Sequence, residues 1–250
     1  MSEETRRVLR ITGADRSRFL NDLVTNDLKG LESGLVYAAL LTPQGKYLFD
    51  FFLAADGESI LLDVDAGRAD GLVQRLSMYK LRADVGIADA GLFVHRGIGE
   101  LPDGAMADPR HPALGWRMYS ETPQEADTVD WDALRVAHCV PETDVELIAD
   151  GSFILECGFE RLNGVDFRKG CYVGQEVTAR MKHKTELRKG LATVNVDGSA
   201  PVGTDLYIDG KAAGTLYTQS GGQGIAYLRF DRVKGEMQAG DAIVTLPEAG

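Results

Sequence analysis

YAALLTPQGKYLFDFFLAADGESILLDV, residues 37–64, is three apolar runs separated by two turn signals. Pro43-Gln44-Gly45 and Asp56-Gly57-Glu58 supply the turns, so the stretch reads as a three-stranded antiparallel meander. On its N-terminal side, ITGADRSRFLNDLVTNDL (11–28) reads as a strand end followed by a helix. Phe19, Leu20, Leu23 and Val24 fall on one helical face there, with Asp15 placed to cap it. On its C-terminal side, AGRADGLVQRLSMY (66–79) sets Leu72, Val73, Leu76 and Tyr79 on one helical face, with Asp65 as a cap. ADVGIADAGLFVHRG (83–97) then gives two short strands around Asp89-Ala90-Gly91.

Residues 97–129, rich in Gly, Pro and acidic side chains, read as connection with one strand near Gly115–Tyr119. Asp130 is placed to cap a short helix, WDALRVAHC, which Pro141 limits. Residues 142–167 read as loop and strand, with a turn around Ala149-Asp150-Gly151. From residue 190 the pattern changes. GLATVNV, DLYID, AAGTLYTQS, GIAYLRF and DAIVTL are short and alternating, with turns at Asp197-Gly198 and Asp209-Gly210. That spacing predicts a small antiparallel barrel or sandwich. The expected organisation is α+β: residues 1–189 as a mixed region and 190–250 as a C-terminal β module.

The chain has 250 residues, 44% of them hydrophobic, enough to bury a sizeable core. No apolar run approaches the roughly 18 residues of a membrane span, and the first residues, MSEETRRVLRIT, lack the apolar run of a signal peptide. Three cysteines without regular spacing do not make a disulfide framework, so a reducing, cytoplasmic setting is expected. The net charge of −11 argues against nucleic acid and anionic membrane as partners. One basic island runs against it: Arg161, Arg168, Lys169, Arg180, Lys182, Lys184, Arg188 and Lys189, opposed by Asp166, Glu176 and Glu186. It suits a small anionic ligand, an acidic partner, or simply an exposed basic face.

Standard catalytic kits are missing. GGQG (221–224) lacks the Lys-Ser/Thr of a phosphate loop and reads as a hairpin turn. No G-x-S-x-G, H-E-x-x-H or C-x-x-C is present. His95, His111, His138 and His183 are scattered, and no metal site is expected. Cys139, on an apolar helix, and Cys157, in an apolar strand-like run, read as buried and inert. Cys171 differs. In RKGCYVGQEVTAR (168–180) it follows Arg168 and Lys169, with Gly170 allowing a bend or a close approach. A helix read from Gly174 would place it just before a helix N-terminus, and dipole and cations both favour a thiolate. The alternative is a buried cysteine in a tight turn, with Lys169 and Arg180 in structural ion pairs. Two carboxylates also intrude on apolar runs, Asp50 in YLFDFFL and Glu156 in FILECGF, by strand-edge solvation or around a shared polar pocket.

KGCYVGQEVTAR resembles the signature of the YgfZ family, folate-binding proteins that assist iron–sulfur enzyme maturation and are related to the aminomethyltransferase (T-protein) of glycine cleavage. FLNDLVTNDL, LLTPQGKYLFDFFL and AAGTLYTQSGGQGIAYLRF are similar to further parts of that family, so the likeness runs essentially the full length. The resemblance implies a T-protein-like ring of mixed α/β subdomains around a folate site, closed by a C-terminal β-barrel. It puts Asp50 where the aminomethyltransferases carry their catalytic aspartate, and Glu156 near their pterin-binding glutamate, although Ile154 stands where that glutamate is usually preceded by proline. The ligand implied is tetrahydrofolate, polyglutamylated or not, with the basic island meeting its tail or an acidic partner. The partners implied are iron–sulfur assembly or client proteins. Cys171 would be the working thiol, in transient contact with a cluster or with reactive sulfur. Lys169 and Arg168 would lower its pKa, and Gln175, Glu176 and Arg180 would position the loop; Lys169, Gly170, Cys171, Tyr172, Gly174, Gln175, Glu176 and Arg180 form the motif. The rival expectation is a folate-dependent aminomethyl or one-carbon transferase in which Asp50 orients or deprotonates the amine. A third is an interaction module without folate.

Overall fold

The computed structural model describes residues 5–125, 128–183 and 187–247. The chain forms two compact units, residues 1–129 with 160–177, and residues 130–159 with 178–250. Among the described residues no helix is long and apolar enough to cross a membrane.

The first unit is built on the predicted meander. Strands β1 (Arg6–Thr12), β2 (Val36–Leu41), β3 (Tyr47–Asp56), β4 (Ser59–Asp65) and β5 (Gly86–Asp89) make one antiparallel sheet in the order β2-β3-β4-β1-β5. Helices α1 (Arg16–Asn21) and α2 (Ala69–Lys80) cover one face. Phe49, Phe51, Leu53, Leu62, Leu9 and Ile11 point to that face and form a dry core with Phe19, Leu20, Leu72 and Leu76. Neither expected cap operates. The Asp15 carboxylate accepts the Asp84 N–H at 2.8 Å instead, and Asp65 precedes a 3-10 turn without a capping bond. Packing of the apolar face, rather than capping, holds these short helices.

Eight of the ten residues of β3, Tyr47–Ala54, are buried, so the second face of the sheet is covered as well. Asp50, Phe52 and, across the register, Tyr37 and Asp63 lie there. A second sheet, β6 (Phe93–Gly97), β7 (Met106–Ala107) and β8 (Trp116–Ser120), supplies Arg117 and Tyr119 against it.

In the second unit, α3 (Trp131–Ala137) starts as expected, with the Asp130 side chain accepting the Ala133 N–H. It ends before Cys139, which takes a left-handed φ of 50° and is half-buried rather than buried on the helix. Residues 154–163 are successive turns, so the strand-like reading around Cys157 and Glu156 does not hold. A short apolar run broken only by Glu156 has no period to separate strand from buried turn. Helix α4 (Gln175–Lys182) begins in the first unit.

The C-terminal strands β9 (Lys189–Asp197), β10 (Thr204–Ile208), β11 (Lys211–Ser220), β12 (Gln223–Arg229), β13 (Met237–Ala239) and β14 (Ala242–Thr245) form a closed barrel. Val194, Val196, Leu206, Leu216, Leu228, Met237 and Val244 alternate into its core. GGQG is a hairpin turn, with Gly221 and Gly222 both at positive φ as a two-residue loop of type I′ requires. Arg135 of α3 ties the segment before the barrel to it, bonding the fully buried Glu146 at 2.6 Å, while Glu146 accepts the Thr218 hydroxyl at 2.6 Å.

Leu62 is fully buried in the dry core of the first unit. Leu62→Ala is expected to cost about 3 kcal/mol through lost transfer energy and a residual cavity. Urea unfolding checks it, and a cost within error of zero would contradict this core.

Candidate functional site

The cysteine motif occupies the loop and helix start that end the first unit. Cys171 is exposed, whereas Cys157 is buried and Cys139 half-buried. Burial first, then the charge of Glu156 and the neighbouring Cys139, pushes the Cys157 thiol up to about 12 against a hydrogen bond from Ser152, so it stays protonated and unreactive at neutral pH.

Two fastenings hold the loop. Lys169 is turned inward, with its ammonium donating to the carbonyls of Asn21 at 2.6 Å and Val24 at 2.5 Å. These carbonyls lie at and beyond the end of α1, where a helix leaves acceptors without intrahelical donors. The Lys169 ammonium also sits 5.1 Å from the Tyr172 ring centroid. Burial pushes the Lys169 pKa down to about 8, partly offset by Asp27, Asp22 and Asp166. Lys169 thus anchors the loop to the end of α1. Arg168 points the other way, its side chain 95% exposed, 3.8 Å from Asp166.

The second fastening is a contact between two glycines. Gly174 has a φ of 83°, and a Cβ there would meet Thr42 O at 2.6 Å and Gly45 Cα at 3.0 Å. Gly45 has a φ of 75°, and its Cβ would meet Val177 Cβ at 2.8 Å. The motif backbone therefore lies directly on the turn between β2 and β3, an approach only glycine permits. Gln175 closes the loop with a long 3.4 Å bond from its amide nitrogen to Gly170 O. Glu176 and Arg180 lie exposed on α4. Of the basic island, Lys184 and its counter-charge Glu186 lie outside the described residues.

Asp50 is buried on the second sheet face, where Tyr37 donates to Oδ2 at 3.0 Å and Tyr47 to Oδ1 at 2.7 Å. Burial and then the Asp50 charge push the Tyr37 pKa well above the ordinary phenol value. The sequence reading missed these two tyrosines. The available signal was two hydroxyl-bearing aromatics within one hairpin of an aspartate, Tyr47 three residues before it and Tyr37 diagonal to it across the register.

Beyond Asp50 lies a charged network. Asp63, fully buried, accepts from Arg6 Nε at 2.6 Å and Arg117 Nη1 at 3.0 Å. Asp108 takes a bidentate grip from Arg110 at 3.0 and 2.8 Å and a 3.3 Å bond from Arg117. The guanidinium carbons of Arg6, Arg110 and Arg117 stand 5.7, 4.8 and 3.8 Å from the centroid of Phe52.

Glu156 lies in the second unit, half-buried, and accepts the Tyr227 hydroxyl at 2.7 Å. Burial, then the bond to Glu156, pushes the Tyr227 pKa up. A carboxylate offers about four acceptor positions, so beside Tyr227 it can take the two parallel N–H groups of a pterin edge. Among the described residues, no group of three or more His, Cys, Asp or Glu side chains is arranged to hold a metal ion.

With the fold and its polar sites in view, the likeness to known proteins has a structural setting. The crystal structure of glycine cleavage system aminomethyltransferase T from Bartonella henselae matches with a TM-score of 0.73, covering 98% of this chain and 84% of that one at 12% identity. This chain is thus a T-protein-like α+β protein with a closed six-stranded antiparallel barrel at its C-terminal end. The CAF17 C-terminal beta-barrel domain matches residues 188–249. The mitochondrial iron–sulfur cluster assembly factor IBA57 of Mus musculus is 30% identical over 278 residues, covering 93% of this chain and 78% of the mouse protein. Its Homo sapiens counterpart is 29% identical over the same shares. The Mycosarcoma maydis homologue is 32% identical over 76% of this chain, which spans 55% of that protein. The chain belongs to the IBA57 family of iron–sulfur cluster assembly factors, the YgfZ-type group that its cysteine motif resembles.

The Asp108 network yields a pH prediction. Burial works to raise the Asp108 pKa, but Arg110 and then Arg117 outweigh it and bring it down to about 2. A depressed carboxylate stabilises the fold above its unfolded value near 3.8, and that stability is lost as pH falls through about 2. The two values differ by enough to be worth about 2 kcal/mol. In urea unfolding, the stability gap between wild type and Asp108→Asn should narrow by about that amount from pH 4 to pH 2. A gap independent of pH would show that the Asp108 carboxylate is not held ionised by these arginines.

Proposed function

We propose that this chain serves iron–sulfur cluster assembly or repair through the thiol of Cys171, with tetrahydrofolate as its bound ligand. The observation that carries this is the contrast among the three cysteines: Cys171 stands exposed on a loop fastened at both ends, while Cys157 is sealed in and Cys139 is half-covered. An exposed, soft sulfur on a fixed loop is suited to brief contact with a cluster iron or with a sulfur species carried by another protein. Membership of the IBA57 family supports the same reading.

Glu156 and Asp50 are the residues proposed for folate. Glu156 has the acceptor capacity for the pterin edge. Asp50 is a carboxylate held in one orientation by two tyrosines, which suits it to directing a ligand N–H. A one-carbon transferase remains a separate reading with less behind it, because a likeness at 12% identity carries the fold alone.

In cells lacking the native protein, Cys171→Ser is expected to fail to restore iron–sulfur enzyme activity; full restoration would refute the thiol role. For folate, tetrahydrofolate at a hundredfold excess over its dissociation constant should stabilise the wild type by about 2.7 kcal/mol. The rise in melting temperature should be lost in Glu156→Gln and Asp50→Asn. An equal rise in both variants would move the pterin elsewhere.

A further inference from the structure

Helix α2 ends in a way that its sequence does not favour. The Ala83 N–H closes a tight turn on the Lys80 carbonyl at 2.8 Å. Leu81, the first residue inside that turn, has φ 45° and ψ −102°. Type II′ turns give this conformation to glycine, because a Cβ there crowds the backbone. Leu81 gains no packing in return, since it is 89% exposed. Met78, three residues earlier on α2, is also exposed. A strained turn carrying a bare leucine breaks a local rule without compensation inside the chain, and such positions mark surfaces that meet something else.

Beside this knob is a hole. Tyr79 and Ala83, two residues to either side of Leu81, join Phe19 and Leu23 in lining a cavity of about 290 Å³. Phe19 and Leu23 belong to the dry core of the first unit, so that wall is fixed. Asp15, Arg18 and Asp22 complete the lining, with the Arg18 guanidinium 3.8 Å from Asp22. Two carboxylates against one guanidinium leave the mouth negative. The knob has the opposite sign: Lys80 and Arg82 adjoin Leu81, and neither has an ion-pair partner among the described residues.

We infer that two copies of this chain associate through this surface, each Leu81 entering the cavity of the other copy, with Lys80 and Arg82 of one facing Asp15 and Asp22 of the other. A two-fold interface requires one patch that complements itself, and here knob and hole lie in a single patch. The cavity calls for an apolar side chain flanked by cations, and Leu81 between Lys80 and Arg82 is that chemistry. At about 290 Å³ the cavity lies at the lower limit for a small-molecule site and suits one inserted side chain better. The patch is small, so the dimer is weak and forms with rising concentration. This inference rests on neither the thiol nor folate.

Analytical ultracentrifugation of the full chain across a concentration series tests it, with melting temperatures taken in dilute solution where the monomer prevails. The wild type should move from monomer to dimer mass as concentration rises. Leu81→Gly should weaken that association by at least about tenfold, the scale of losing one interface anchor. It should also melt no lower than the wild type, because glycine relieves the strained turn. Arg82→Glu and Asp22→Arg should each weaken association, and the double variant should recover it, since both members of the pair are exchanged in every copy. A wild type that stays monomeric up to its solubility limit overturns the proposal. So does a dimer that Leu81→Gly leaves intact, which puts the interface elsewhere. A Leu81→Gly that melts below the wild type would make the leucine part of its own fold and remove the argument. Dissociation in both charge variants without recovery in the double would contradict the reciprocal pairing.

Discussion

The contact between Gly45 and Gly174 is the constraint on which the candidate site depends. It sets the backbone of the cysteine motif against the first turn of the central meander, so the loop inherits the rigidity of a buried sheet. Lys169 fixes the other end by supplying donors to carbonyls at the close of α1. Between these two points Tyr172 turns inward under the Lys169 ammonium and Cys171 turns outward. The motif therefore works mechanically first: its lysine and its second glycine are holders, and the thiol is what they hold.

The same sheet explains why the first unit carries so many charges inside. One face is an ordinary dry core beneath two short helices. The other is closed by a small three-stranded sheet through paired charges around Phe52. Removing ions from water is expensive unless every partner is in place. Here Asp63 and Asp108 each have two arginines, and Arg117 is shared between them. Such a network fixes one register between the two sheets, because a slip of one residue would leave buried charges without partners. Asp50, with its two tyrosines, occupies the same face and so sits in a rigid setting.

Much of this was legible in the sequence. Turn chemistry at Pro43-Gln44-Gly45 and Asp56-Gly57-Glu58 marked the meander, and short alternating runs marked the barrel. Asp50 announced a polar feature by interrupting YLFDFFL. What could not be read were contacts across long sequence separations. Arg117 meets Asp63 from 54 residues away, and no local pattern distinguishes these from surface charges. Around Glu156 the reading failed for another reason: FILECGF is apolar on both sides of its glutamate without alternating, and buried turns share that composition with strands. The two cations before Cys171 look alike in the sequence, yet the chain turns Lys169 inward and Arg168 outward, because the carbonyls that hold Lys169 lie 148 and 145 residues away.

The central claim is that the fold presents one thiol and withholds the others. Brief alkylation of the native protein with iodoacetamide, followed by peptide mass mapping, tests it most directly. The account predicts rapid modification of Cys171, slower modification of the half-buried Cys139, and none of Cys157 until the protein is unfolded. Modification of Cys157 as fast as Cys171, or a Cys171 that reacts only on unfolding, would contradict it.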